Sequence, residues 1–289
     1  MTAPGSIATA SGRRISISAK VSVMAMTAIL YAIARAVTPV ITPSGVGQLL
    51  IGTFVIAFFA LISDPLSVAI GAGLGTFLAD SLVLTSLGGT NPALSLAAGV
   101  PANFLAALLL GYFVQRYRSW SGFVVGTIVF ISLGDLLAGV LVVALGPLAF
   151  PQLITALVQR FGATQLALGL ALYWNTTAVP AALLVTPILV RAVRPQVSRS
   201  SIVTTYPDWG GSKISRIVLT SVVLGGLFAL AEALFLISAA SPFLSIIGVN
   251  MMVYSEIASV LILVAAPVIG VLLSKPQRAA AGQNRSYAV

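Results

Sequence analysis

The sequence predicts an all-α polytopic membrane helix bundle of about eight transmembrane helices, and three observations carry that reading. Hydrophobic residues make up 58% of the 289 and charged residues only 7%, against roughly 25% charged in soluble domains. The apolar stretches run unbroken for about 20 residues, the length that crosses ~30 Å of hydrocarbon, rather than alternating over about 10 as barrel strands do. Basic residues then cluster in the short polar segments between them, the positive-inside pattern. The mean hydropathy of +1.08 agrees.

Taken in order, the spans are expected at about 20–41, 47–63, 66–87, 94–116, 121–145, 164–191, 214–240 and 255–274. Pro, Gly or charged residues bound each of them. Residues 1–19 are small and polar and read as a cytoplasmic tail. Residues 20–192 form a six-helix core, and 193–213 is a basic cytoplasmic linker. Residues 214–274 form a two-helix hairpin, and 275–289 a second cytoplasmic tail. With the N-terminus inside, Arg13, Arg14, Lys20, Arg116, Arg118, Arg191, Arg194, Arg199, Lys213, Arg216, Lys275, Arg278 and Arg285 all face the cytoplasm. Only Arg160 lies in an outer loop, and Arg35 lies within a helix. The expected location is therefore the cell membrane, multi-pass, with both termini cytoplasmic.

The net charge of +9 does not indicate nucleic acid, because it follows the loops of a membrane topology. No Cys and no His occur, which removes thiol nucleophiles, imidazole bases and the usual zinc, haem and copper ligands. No enzyme, metal site or cofactor is expected. The run Gly71-Ala72-Gly73-Leu74-Gly75 has its third glycine misplaced for a dinucleotide loop and lies at membrane depth, so Gly71 and Gly75 are expected to serve close helix packing. No P-loop sequence occurs.

The chemistry lies in a few polar residues within the apolar spans. Arg35, Asp80, Asn103, Asp135, Tyr173, Trp174, Asn175 and Glu232 fall in the outward halves of different helices. Such groups are costly in hydrocarbon and face a bundle interior or a water-filled cavity. Arg35, Asp80, Asn103, Asp135, Tyr173, Trp174 and Asn175 are the expected substrate-binding residues of an outward pocket. Arg35 can grip an anionic group, or pair with Asp80 or Asp135. Tyr173-Trp174-Asn175 offers a stacking surface beside an amide, and Pro180 leaves a carbonyl one turn earlier without its helical partner. Glu232 is a candidate coupling carboxylate. Ala28, Ala32 and Ala36, at four-residue spacing, make a small-residue face for a partner helix or for packing within the chain.

These residues resemble the substrate-binding S components of energy-coupling factor (ECF) vitamin transporters. The likeness rests on the Ala28/Ala32/Ala36 face; on Pro65, Gly71, Gly75 and Asp80; on Gln115-Arg116-Tyr117-Arg118; and on Asn175. It covers about residues 18–192. The resemblance implies a six-helix bundle binding a vitamin-sized micronutrient from outside. Its alanine face would dock on a transmembrane coupling subunit driven by ATPase subunits. The two C-terminal helices depart from the family pattern. The partners expected are thus a small-molecule substrate, membrane lipid and those subunits, with no nucleic acid. Two rivals stand beside this: a stand-alone proton- or sodium-coupled secondary transporter, and a non-transporting subunit of a larger membrane complex.

Overall fold

The structure is a computed structural model, and it describes residues 15–38, 48, 50–86, 90–197, 200–207, 209, 213–238 and 249–274. Helices dominate them: α1 (Ile17–Ala36), α2 (Thr53–Ile62), α3 (Pro65–Ala79), α4 (Pro92–Leu94), α5 (Val100–Arg116), α6 (Trp120–Ala149), α7 (Pro151–Phe161), α8 (Ala163–Val197), α9 (Ile214–Ser238) and α10 (Val249–Ser274). A π turn, Asp80–Leu84, continues α3, and a second, Ser95–Gly99, joins α4 to α5.

Among the described residues, five helical stretches are long and apolar enough to cross a membrane: Ile17–Ala36, Pro65–Val83, Pro92–Arg116, Trp120–Ala149 and Ala163–Arg194. Their outer faces carry large apolar side chains in the open, such as Ile29 and Ile33 on α1 and Leu133 and Val140 on α6. That is the surface lipid requires and water disfavours. The chain therefore folds as a helical membrane bundle. Of the eight spans expected, these five are established among the described residues. The span expected at 47–63 is a helix of only 10 residues, Thr53–Ile62, or about 15 Å, half the hydrocarbon thickness. The C-terminal helices α9 and α10 are 25 and 26 residues long, and the apolar stretches Ile214–Leu230 and Val260–Leu273 lie within them.

Local chemistry sets the helix ends. Asp64 caps α3, accepting from the Ser67 amide at 3.0 Å and the Ser67 hydroxyl at 2.6 Å, with Pro65 as the first helical residue. Ser119 caps α6 by accepting from the Gly122 amide at 3.1 Å. The segment 146–163, expected as a loop, is mostly helix: α6 runs to Ala149 and α7 follows. Ile154, Leu157, Val158 and Phe161 recur at helical spacing, and Ile154 and Phe161 are buried. Gly162 ends α7 at φ 81°, a conformation a side chain would strain.

Small residues allow the helices to approach. A Cβ on Gly75 would lie 2.7 Å from the Ala28 carbonyl oxygen, and one on Gly71 would lie 2.6 Å from Thr27 Cβ. So α1 and α3 pack backbone to backbone. On α6, Gly134 faces Ala106 of α5, while Gly139 faces the Ala167 backbone of α8. This places α6 between those two helices. The C-terminal pair α9 and α10 packs on α6 and α8. Trp120 anchors it: its ring is fully buried, lies edge-on to Trp209 at 5.5 Å and donates from Nε1 to Ser221 Oγ at 3.3 Å.

Gly75→Ala should lower stability by about 1–3 kcal/mol, the cost of overpacking, because the added carbon meets backbone rather than a movable side chain. Leu74→Ala, at a half-exposed neighbouring position on the lipid side, should change little. Unfolding midpoints of the purified protein in detergent check both.

Candidate functional site

A polar cluster forms inside the apolar bundle where α1, the end of α3 and the start of the α4–α5 segment meet. Asp80 opens the first π turn and Ser95 opens the second. Ser95 donates its hydroxyl to Asp80 Oδ2 at 2.6 Å, tying the two irregular turns together. Arg35 Nη2 lies 2.8 Å from Asp80 Oδ1, and both side chains are only 6% exposed. The Arg35 guanidinium also lies 5.7 Å from the centre of the Tyr31 ring. Gly99 makes room: a Cβ there would lie 3.0 Å from Thr76 Cγ2 and 3.4 Å from Asp80 Oδ2. π turns free backbone groups from the regular ladder and gather at functional sites. Here the Thr85 amide and hydroxyl both donate to the Asp80 carbonyl, at 3.0 and 2.7 Å.

Beside this cluster lies a cavity that encloses about 70 Å³, or about 880 Å³ when the open space at its mouth is counted. The smaller figure is the one to set against the ~300–1,000 Å³ of small-molecule sites, because the larger includes open solvent. Arg35, Asp80, Asn103, Asp135 and Trp174 all line it. The sequence-expected residues therefore converge from α1, the α3 extension, α5, α6 and α8. Asn103 accepts from the Tyr31 hydroxyl at 3.3 Å and donates to the Gly99 carbonyl at 3.0 Å.

Tyr173 and Asn175 are buried but are not part of this wall. Successive helical residues are about 100° apart, so three in a row cannot face one cavity. Asn175 instead joins helices, accepting from the Ser132 hydroxyl of α6 at 2.8 Å and donating to the Ala171 carbonyl at 3.0 Å. Downstream, Thr177 Oγ1 accepts from the Leu50 amide at 2.9 Å and donates to the Trp174 carbonyl at 3.2 Å. Ala28 is buried against Gly75, so that part of the alanine face serves packing within the chain; Ala32 and Ala36 stay half-buried. The side chain of Glu232 lies outside the described residues.

Sequence reading missed Ser95, Gln48 and Thr76, all of which line the cavity. Ser95 stands second in the span expected at 94–116, and nothing in its neighbours marks it as the partner of Asp80. Among the described residues no group of three His, Cys, Asp or Glu could hold a metal ion. No family model, curated protein or solved structure matches the chain.

The pair arithmetic is testable. Arg35→Leu or Asp80→Leu alone should cost about 3–5 kcal/mol, since each leaves an uncompensated buried charge. The double variant Arg35→Leu/Asp80→Leu should lose less than either single change. A double-mutant cycle on unfolding in detergent reads the coupling.

Proposed function

We propose that this membrane protein is a solute-binding subunit. It would capture a vitamin-sized micronutrient in the cavity between α1, α3, α5, α6 and α8, with uptake energised by a separate ATPase module. The observation that carries the reading is the convergence of Arg35, Asp80, Asn103, Asp135 and Trp174 from separate helices onto one cavity. A structural ion pair needs no cavity, no second carboxylate and no aromatic wall. The π turns that present Asp80 and Ser95 support a site that can change shape, as a 70 Å³ cavity must to admit a vitamin-sized ligand. The chemistry is binding without covalent change.

In this reading the basic residues of the loops set the orientation, with both termini in the cytoplasm of a cell membrane and the cavity opening outward. Ala32 and Ala36 remain available to a transmembrane coupling subunit, as the ECF S-component resemblance implies. Ala28 is already engaged by α3. One observation favours a second reading. Asp135 is buried in the cavity wall with Oδ2 unpartnered among the described residues, which suits a stand-alone proton- or sodium-coupled transporter. Uptake by the chain expressed alone, dependent on an ion gradient, would select it.

Native mass spectrometry of the protein gently extracted from its own membranes tests the proposal. The expected result is a bound small molecule that Trp174→Ala no longer retains, with ATPase subunits in the same complex. An empty chain held to unrelated membrane subunits would overturn it and leave a structural role.

A further inference from the structure

The charges in the cavity do not balance, and the imbalance has a sign. Among the described residues, the ionisable side chains lining it are one cation, Arg35, and two carboxylates, Asp80 and Asp135. Asp80 already holds Arg35 at 2.8 Å and the Ser95 hydroxyl at 2.6 Å. Asp135 is only 6% exposed, and its Oδ2 has no hydrogen-bond partner among the described residues.

Several donors around the cavity are engaged elsewhere. Tyr31 donates to Asn103, Asn103 to the Gly99 carbonyl, Thr76 to the Ala72 carbonyl, and Ser132, on the helix of Asp135, to Asn175. A buried carboxylate with no donor and no counter-charge is costly, and the usual remedy is a positive group from outside. The rest of the wall says what kind. Leu94, Leu110, Ile131 and Val142 are apolar, and Trp174 supplies an aromatic ring. A hydrated inorganic ion needs several oxygens, whereas an organic cation can rest an apolar body on such a wall and its charge near an aromatic face.

We propose that the cavity takes an organic cation, an ammonium or aromatic onium compound, with Asp135 as its counter-ion. This rests on the solute-binding reading above and specifies its ligand. It also reverses the simpler expectation that Arg35 captures an anion, since Arg35 is already in contact with Asp80.

The test uses the full chain in detergent or lipid nanodiscs. The probes are methylammonium, choline and benzylammonium, each against a neutral alcohol and a carboxylate of matching size, with the unfolding midpoint as readout. The expected result is that at least one ammonium raises the midpoint, and that Asp135→Asn weakens its binding at least tenfold. Leu74→Ala should leave that binding intact. Three results would overturn the inference. A carboxylate or alcohol that stabilises the protein as well as the ammonium would leave a solute site without the cation preference. Stabilisation by sodium chloride that Asp135→Asn abolishes, with no ammonium effect, would make Asp135 an inorganic ion site. No response to any probe, with Asp135→Asn raising the midpoint, would make Asp135 a group held neutral in the fold. The solute-binding reading is judged separately, by whether a small molecule travels with the native protein and leaves in Trp174→Ala.

Discussion

The guanidinium of Arg35 and the carboxylate of Asp80 touch at 2.8 Å inside a bundle whose outer surface is apolar, and much of the surrounding architecture follows from keeping them together. In hydrocarbon neither charge has water to fall back on, so each is tolerated only in the other's company. Contact between them fixes the register of α1 against α3. That register is achievable because Gly71 and Gly75 present no side chain to Thr27 and Ala28. The contacts around Asp80 follow the same logic. Asp80 has acceptor capacity beyond Arg35, and Ser95 meets it from the next segment. Reaching it places Ser95 in a π turn and requires Gly99 to stand close to Asp80.

Elsewhere the packing relies on small residues and on amide or hydroxyl contacts. Membrane helices gain little from burying apolar surface against one another, because lipid is as apolar as leucine. Close backbone approach and interhelical hydrogen bonds do that work instead. Gly134 and Gly139 place α6 between α5 and α8, and Ser132 to Asn175 then bonds α6 to α8. Thr186 donates to the Phe54 carbonyl at 3.1 Å, holding the short α2 against α8. Gln115 donates to the carbonyls of Ala60 and Ser63 at the end of α2. A ten-residue helix is thus secured by side chains from its long neighbours.

The legible part of the fold was the part governed by composition. Five full spans match expected ones, because unbroken apolar runs of this length have few other uses. That Arg35, Asp80, Asn103, Asp135 and Trp174 line one cavity was legible for the same reason: a polar group in such a run needs a justification. Tyr173 and Asn175 carried the same signal for a different purpose, since depth alone does not tell a cavity face from a helix–helix face. Helix α7 was missed although its signal was present. Ile154, Leu157, Val158 and Phe161 repeat at intervals of three and four, but the segment is only 11 residues and holds Arg160, so it read as a loop. The partnership of Ser95 with Asp80 depends on two π turns, and no residue pattern in the chain announces those.

The pairing of Arg35 with Asp80 also bears on how a ligand could leave. A site that had to neutralise three isolated charges with its ligand would hold it tightly and be costly to empty. Here two of the three charges lie in contact with each other, so under the cation proposal only Asp135 would change company as a ligand came or went. Under that proposal the internal ion pair would let a charged cavity be filled and emptied within a bundle surrounded by lipid.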